Sequence, residues 1–155
     1  MAVEIERKFL VINDGWKAQV ESESSLKQGY LSAEKDLSVR VRVAKGRGEL
    51  TIKGGTSGIS RSEYEYEIPL PDAEEMIAKL VSGSVIDKTR YKVRCGDHVW
   101  DLDLFHGDNQ GLIMAEVELA SESEPFQMPD WAGQEVSDDP RYYNANLISH
   151  PYCDW

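Results

Sequence analysis

Seven stretches of this chain alternate apolar and polar residues with a period of two, and their polar members are almost all charged. The stretches are EIERKFLVI (4–12), LSVRVRV (37–43), ELTIK (49–53), RSEYEYEI (61–68), IDKTRYKVR (86–94), HVWDLDLF (98–105) and IMAEVEL (113–119). Residues two apart point to the same face of an extended chain, so each stretch predicts a strand with one apolar and one charged side. LKQGYLS (26–32) adds an eighth strand, weakened by Gly29. Short turns join most of them: Gly46-Arg47-Gly48, then Gly54, Gly55 and Gly58, then Gly96-Asp97. Strands in succession with tight turns predict an antiparallel meander, either an open sheet or an eight-stranded barrel.

Helices are few. Asn13 or Asp14 caps a short one near Trp16–Val20. Pro69 and Pro71 stop the fifth strand, and 72–83 reads as a helix with Asp72 as cap and Gly83 as terminator. Asp139-Pro140 is a good helix start, which places a last helix over 141–149. The fold class is therefore α+β, mainly β, in one domain spanning 1–155.

The net charge of −11 repels nucleic acid, so no nucleic-acid partner is expected unless the 17 Lys and Arg residues are concentrated in one place. No apolar run approaches the roughly 18 residues of a membrane span. The start MAVEIERKF is acidic too early for a signal peptide, and Cys95 and Cys153 form no CxxC, so a reducing cytoplasm is expected. His98, His106 and His150 lack zinc-ligand spacing.

Pairing between strands decides what the charges mean. Around Gly96-Asp97, Lys92 faces Asp101 and Arg90 faces Asp103, ordinary cross-strand pairs of opposite sign. Around Gly46–Gly48, a shared apolar face for Val43 and Ile52 sets Arg42 opposite Lys53, with Arg40 nearby, an unfavourable like-charge pairing. Glu4 and Glu6, Glu63, Glu65 and Glu67, and Glu116 and Glu118 put paired acids on the same side. A multiply charged anion would relieve the cationic strip, and a hard divalent cation the carboxylates. From spacing alone this site and a plain solvated sheet face stand level. The chain has neither a P-loop nor a GxSxG elbow.

The ordered motifs EIERK, KQGYL, VRVR, TIK, SRSEYEYEI, DKTRY, DLDLF, EVEL and DPRYYNANL resemble the CYTH superfamily, the triphosphate tunnel metalloenzymes, over essentially the whole chain. The likeness is greatest to short bacterial members that resemble inorganic triphosphatases. The resemblance implies an eight-stranded tunnel with a charged interior and helices over an apolar outside. It implies triphosphate binding by Lys8, Arg40, Arg42, Lys53, Lys88 and Arg90. Divalent metal, two ions of Mg²⁺ or Mn²⁺, would bind Glu4, Glu6, Glu116 and Glu118, with Asp103 and the Glu63/Glu65 pair nearby as ligands or organisers. Glu4, Glu6, Lys8, Glu63 and Glu65 form the catalytic set.

Lys92 and Asp101 read as a rim salt bridge, Glu67 has no assigned role, and Tyr30 stands between packing and substrate contact. The terminal RYYNANL helix would lie near one tunnel end, with Arg141 interacting there. Trp131, Tyr152 and Trp155 have two open uses, packing on the barrel or on a second subunit of a homodimer. The expected reaction is hydrolysis of inorganic triphosphate to pyrophosphate and orthophosphate. Adenylate cyclase, thiamine-triphosphatase and a non-enzymatic polyphosphate-binding module are the alternatives.

Overall fold

Every alternating stretch becomes a strand. The computed structural model describes residues 3–155, with strands β1 (Val3–Val11), β2 (Val20–Glu34), β3 (Leu37–Ala44), β4 (Arg47–Ser57), β5 (Ser60–Ile68), β6 (Ser82–Cys95), β7 (His98–Phe105), β8 (Ile113–Glu118) and β9 (Ala132–Glu135). The helices are α1 (Leu70–Lys79) and α2 (Asn144–Leu147), with short 3-10 turns between elements. The strands run antiparallel in the order β5-β4-β3-β2-β6-β7-β8-β1-β9, and β5 returns to pair with β1. That last pairing, Val3↔Ser62, Glu4↔Arg61 and Ile5↔Ser60, closes β1–β8 into an eight-stranded barrel. β9 lies on the far part of the same β1 edge, around Phe9 and Val11.

The barrel is charged inside and apolar outside. Phe9, Val93, Trp100, Leu102, Ala115 and Val117 point outward and are buried beneath Trp16, Leu119 and Trp131. Burying one such side chain stabilises by about 1.5–3 kcal/mol, and closure leaves few free strand edges. On the opposite side α1 packs so closely that a Cβ on Gly48 would stand 2.6 Å from the Ala73 Cβ. A second cluster, Ile86, Phe105, Leu112, Met114, Val136, Leu147 and Ile148, anchors the C-terminal segment. Among the described residues no helix is long and apolar enough to cross a membrane.

Several local expectations are corrected. The β3–β4 turn sits at Lys45-Gly46, where φ is 53° and 71°, and Gly48 is already in β4. A two-residue loop with both central φ positive matches strand twist best. The register therefore pairs Arg42 with Glu49 and Lys53 with Ser38, not Arg42 with Lys53. Gly54 and Gly55 continue β4 as an irregular stretch, and the turn falls at Gly58-Ile59.

Gly29 does not shorten β2. Its missing Cβ leaves room for Val81, whose Cγ1 would otherwise stand 2.2 Å away. α1 begins at Leu70 after Pro69 rather than at Asp72, ends at Lys79, and leaves Gly83 inside β6 with φ 70°. The last helix is broken into a 3-10 turn, Pro140–Tyr142, and the four-residue α2. The outer face is only partly covered: Val3, Tyr64 and Tyr66 remain exposed. Trp131 is a buried core residue, whereas Trp155 stacks edge-on against Tyr142 and Tyr152.

Candidate functional site

Barrel order sorts the charges. β8, β1 and β5 are neighbours and carry Glu116, Glu118, Glu4, Glu6, Glu63 and Glu65. β4, β3, β2 and β6 are neighbours in turn and carry Lys53, Arg40, Arg42, Lys88 and Arg90. Closure sets the acidic wall against the basic wall around a cavity of about 830 Å³, and every one of these side chains lines it. Lys8 and Tyr30 line it as well.

The basic wall is held in place by acceptors of its own. Asp103 receives Arg90 Nε and Nη2 at 2.8 and 2.9 Å and Lys88 Nζ at 2.8 Å. Two cations on one carboxylate hold Asp103 well below the usual range in spite of its burial. Burial brings the Lys88 ammonium down to about 7 against the pull of Asp103. Arg42, lowered to about 9 by burial and then by Arg40 and Arg90, donates through Nε and Nη2 to Gln28 Oε1 at 2.9 and 2.8 Å. Arg40 Nη2 donates to Thr51 Oγ1 at 3.1 Å, while its buried Nε has no acceptor.

The acidic wall is built differently. Its carboxyls press on one another: Glu6 lies within hydrogen-bonding reach of Glu116, and Glu4 of Glu63. Burial pushes Glu6 well up, and Glu116 and Glu4 push it further. Burial and then Glu4 raise Glu63 to about 7, and burial also raises Glu118. Lys53 from β4 and Lys8 from β1 itself hold Glu4 and Glu116 down against burial. Lys53 Nζ sits 3.0 Å from both Glu4 oxygens and 3.3 Å from Glu63, and Lys8 Nζ sits 3.6 Å from Glu116.

Carboxyl groups in contact must share a proton or a cation, so this donor set has the oxygen chemistry that Mg²⁺ and Mn²⁺ take. Among the described residues no three carboxylates yet converge as a finished metal cage. Lys53 and Lys8 are the cations that lie on Glu4, Glu63 and Glu116. Glu4, Glu6, Glu116 and Glu118 fit a divalent ion by donor type and shared wall.

The remaining candidates are placed as follows. Lys92 pairs with Asp101 and is half exposed, a rim bridge as expected, and Arg90 Nη1 reaches Asp101 at 3.5 Å. Glu67 is exposed and 3.9 Å from Arg47, outside the cavity lining. Tyr30 belongs both to the lining and to the outer cluster around Ile86. Arg141 turns away from the tunnel to Asp139 at 2.7 Å and lies over the Trp155 ring.

Sequence reasoning did not find Gln28, Asn144, Tyr143, Ser137 or Arg61, all near or in the lumen. The first four are uncharged. Arg61 was hidden by its place at the strand start, although it shares the parity of Glu63 and Glu65.

The comparisons agree with this geometry. The family model for the CYTH domain matches residues 2–150. An inorganic triphosphatase of Acetivibrio thermocellus is 48% identical over 152 residues, covering 98% of this chain and 97% of its own. One of Nitrosomonas europaea is 38% identical over 150 residues, covering 93% and 95%. The crystal structure of an inorganic triphosphatase superposes with a TM-score of 0.66 at 34% identity, covering 96% and 95%.

Proposed function

The chain belongs to the CYTH domain family, and we propose that it is a divalent-metal-dependent hydrolase that cleaves inorganic triphosphate to pyrophosphate and orthophosphate within the barrel. One observation carries the reading: a basic wall faces an acidic wall across a closed lumen. A polyphosphate would offer anionic oxygens to the basic wall, and the divalent cations that accompany it would suit the acidic wall. The two full-length relatives named inorganic triphosphatase support the substrate.

Arg40, Arg42, Lys88 and Arg90 would grip the phosphate oxygens, the guanidiniums by paired donors. Asp103, with both oxygens committed to Lys88 and Arg90, acts as organiser of that wall. Glu4, Glu6, Glu116 and Glu118 would hold the metal, two ions of Mg²⁺ or Mn²⁺, with Glu63 and Glu65 alongside. When bound, the metal supplies neutralisation of phosphate charge and an acidified water.

Lys53 and Lys8 exchange partners as substrate enters. They would leave Glu4, Glu63 and Glu116 for phosphate oxygens, and those carboxylates would then be free to hold a divalent ion. Water attacks the terminal phosphorus, the anhydride P–O bond breaks, and pyrophosphate leaves. Phosphoryl transfer needs positioning and charge more than covalent help, which suits a wall of fixed cations.

The test is product analysis. The purified protein is incubated with inorganic triphosphate, ATP or thiamine triphosphate, each with Mg²⁺ or Mn²⁺. Preferential orthophosphate from inorganic triphosphate is expected. Cyclic AMP from ATP, preferential cleavage of thiamine triphosphate, or triphosphate binding without phosphate release would each overturn the reading.

A further inference from the structure

Arg42 carries hydrogen-bond donors only, and this fixes the orientation of the two neutral side chains that link it to Lys88. Gln28 is fully buried, and Arg42 donates twice to its Oε1. The Gln28 amide nitrogen must therefore point the other way, and Nε2 donates to Asn144 Oδ1 at 3.0 Å. Lys88 Nζ donates to the same Oδ1 at 2.9 Å. Each amide has one possible orientation, because the flipped form would set a nitrogen donor against another donor. The chain runs Arg42 to Gln28 to Asn144 from one side and Lys88 to Asn144 from the other.

One donor is left over. The Asn144 Nδ2 group has no acceptor among the described residues, and Asn144 lines the cavity. The residue is also held rigidly. Leu147 and Ile148 are buried in the outer cluster, Ile148 O accepts from Ser84 N at 3.0 Å, and Tyr143 Oη donates to Ser137 O at 3.0 Å. Lys8 is tied to this segment too: its backbone nitrogen donates to Ser137 Oγ at 2.9 Å, and its Nζ lies 5.4 Å from the Tyr143 ring centre.

We infer that Asn144 is a substrate-binding residue, whose Nδ2 donates to an oxygen of a terminal phosphate group at the Lys88 end of the tunnel. This rests on the triphosphate reading of the tunnel. The chemistry favours an amide at this point. Arg40, Arg42, Lys88 and Arg90 already repel one another, so a neutral donor adds a hydrogen bond without adding charge. Phosphate oxygens accept only, which makes the unspent N–H a fitting partner. The C-terminal segment is then a wall of the site and not merely a cover.

Asn144→Asp keeps an acceptor for Lys88 and Gln28 but sets a negative charge beside the phosphate, so Asn144→Ala, which removes the donor without adding charge, is measured beside it. For Asn144→Asp the expected result is unchanged or higher metal-free melting temperature. KM for inorganic triphosphate should rise by about tenfold or more, the factor implied by losing one hydrogen bond to a charged group, with kcat changed less. Asn144→Ala should lower melting temperature and raise KM as well; a rise confined to Asn144→Asp is charge repulsion and overturns the inference. KM within about twofold of the unaltered protein in a folded variant overturns the inference, since the tenfold loss above would be absent. Arg42→Ala is the control. If it too keeps the original KM, the tunnel reading has failed; if it alone loses substrate, only the role of Asn144 has.

Discussion

The two walls of the lumen are opposite in charge, and they also differ in how complete they are. On the basic wall Asp103 fixes Lys88 and Arg90, Gln28 fixes Arg42 and Thr51 meets Arg40, while Lys53 reaches across to the acids. On the acidic wall the carboxyls rest against one another or on Lys53 and Lys8. One wall is preorganised for an anion. The other is left with carboxyls crowded against carboxyls.

Breaking the prepared wall should cost the most. Arg42→Ala is expected to raise KM for inorganic triphosphate by about a hundredfold or more, the scale of truncating one member of a buried charged contact; steady-state kinetics read it directly. Asp103→Ala leaves Lys88 and Arg90 buried without their carboxylate and should destabilise the fold by about 3–5 kcal/mol in urea unfolding.

The unfinished wall should show itself through pH. Glu63 is raised to about 7 from 4.5, so the folded state holds more protons than the unfolded state between those values. Metal-free stability should therefore be greatest at and below about pH 4.5 for this group and fall as pH rises toward 7. Added Mg²⁺ should reverse the fall, with proton release seen as a buffer-dependent heat in calorimetry. The smallest effect is expected outside both walls. Glu67→Ala removes only an exposed 3.9 Å pair with Arg47 and should leave kinetics unchanged and stability within about 1 kcal/mol.

Alternation made the strands and the charged lumen legible in the sequence, because period-two patterning survives any error in register. Register itself did not survive. The apparent clash of Arg42 with Lys53 depended on where a glycine-rich turn closed, and Lys45-Gly46 closes it four positions away in the residue sum. The two cations do share a wall, but through barrel order rather than direct opposition. The Arg90–Asp103 pair was readable because a two-residue turn at Gly96-Asp97 leaves one register.

Helix limits went astray where Pro69 opened α1 two residues early and where the C-terminal helix, expected near one tunnel end, broke into a 3-10 turn and a four-residue α2. Gln28 and Asn144 left no trace in a charge pattern, since their role comes from Arg42 and Lys88 beside them.

The division of labour between the walls is tested most directly by Glu6→Gln. Equilibrium binding of inorganic triphosphate and orthophosphate release with Mg²⁺ are measured on the same variant protein. The account predicts a folded protein that still binds triphosphate through the basic wall, with turnover reduced by about a hundredfold or more. Turnover at the unaltered rate would contradict it.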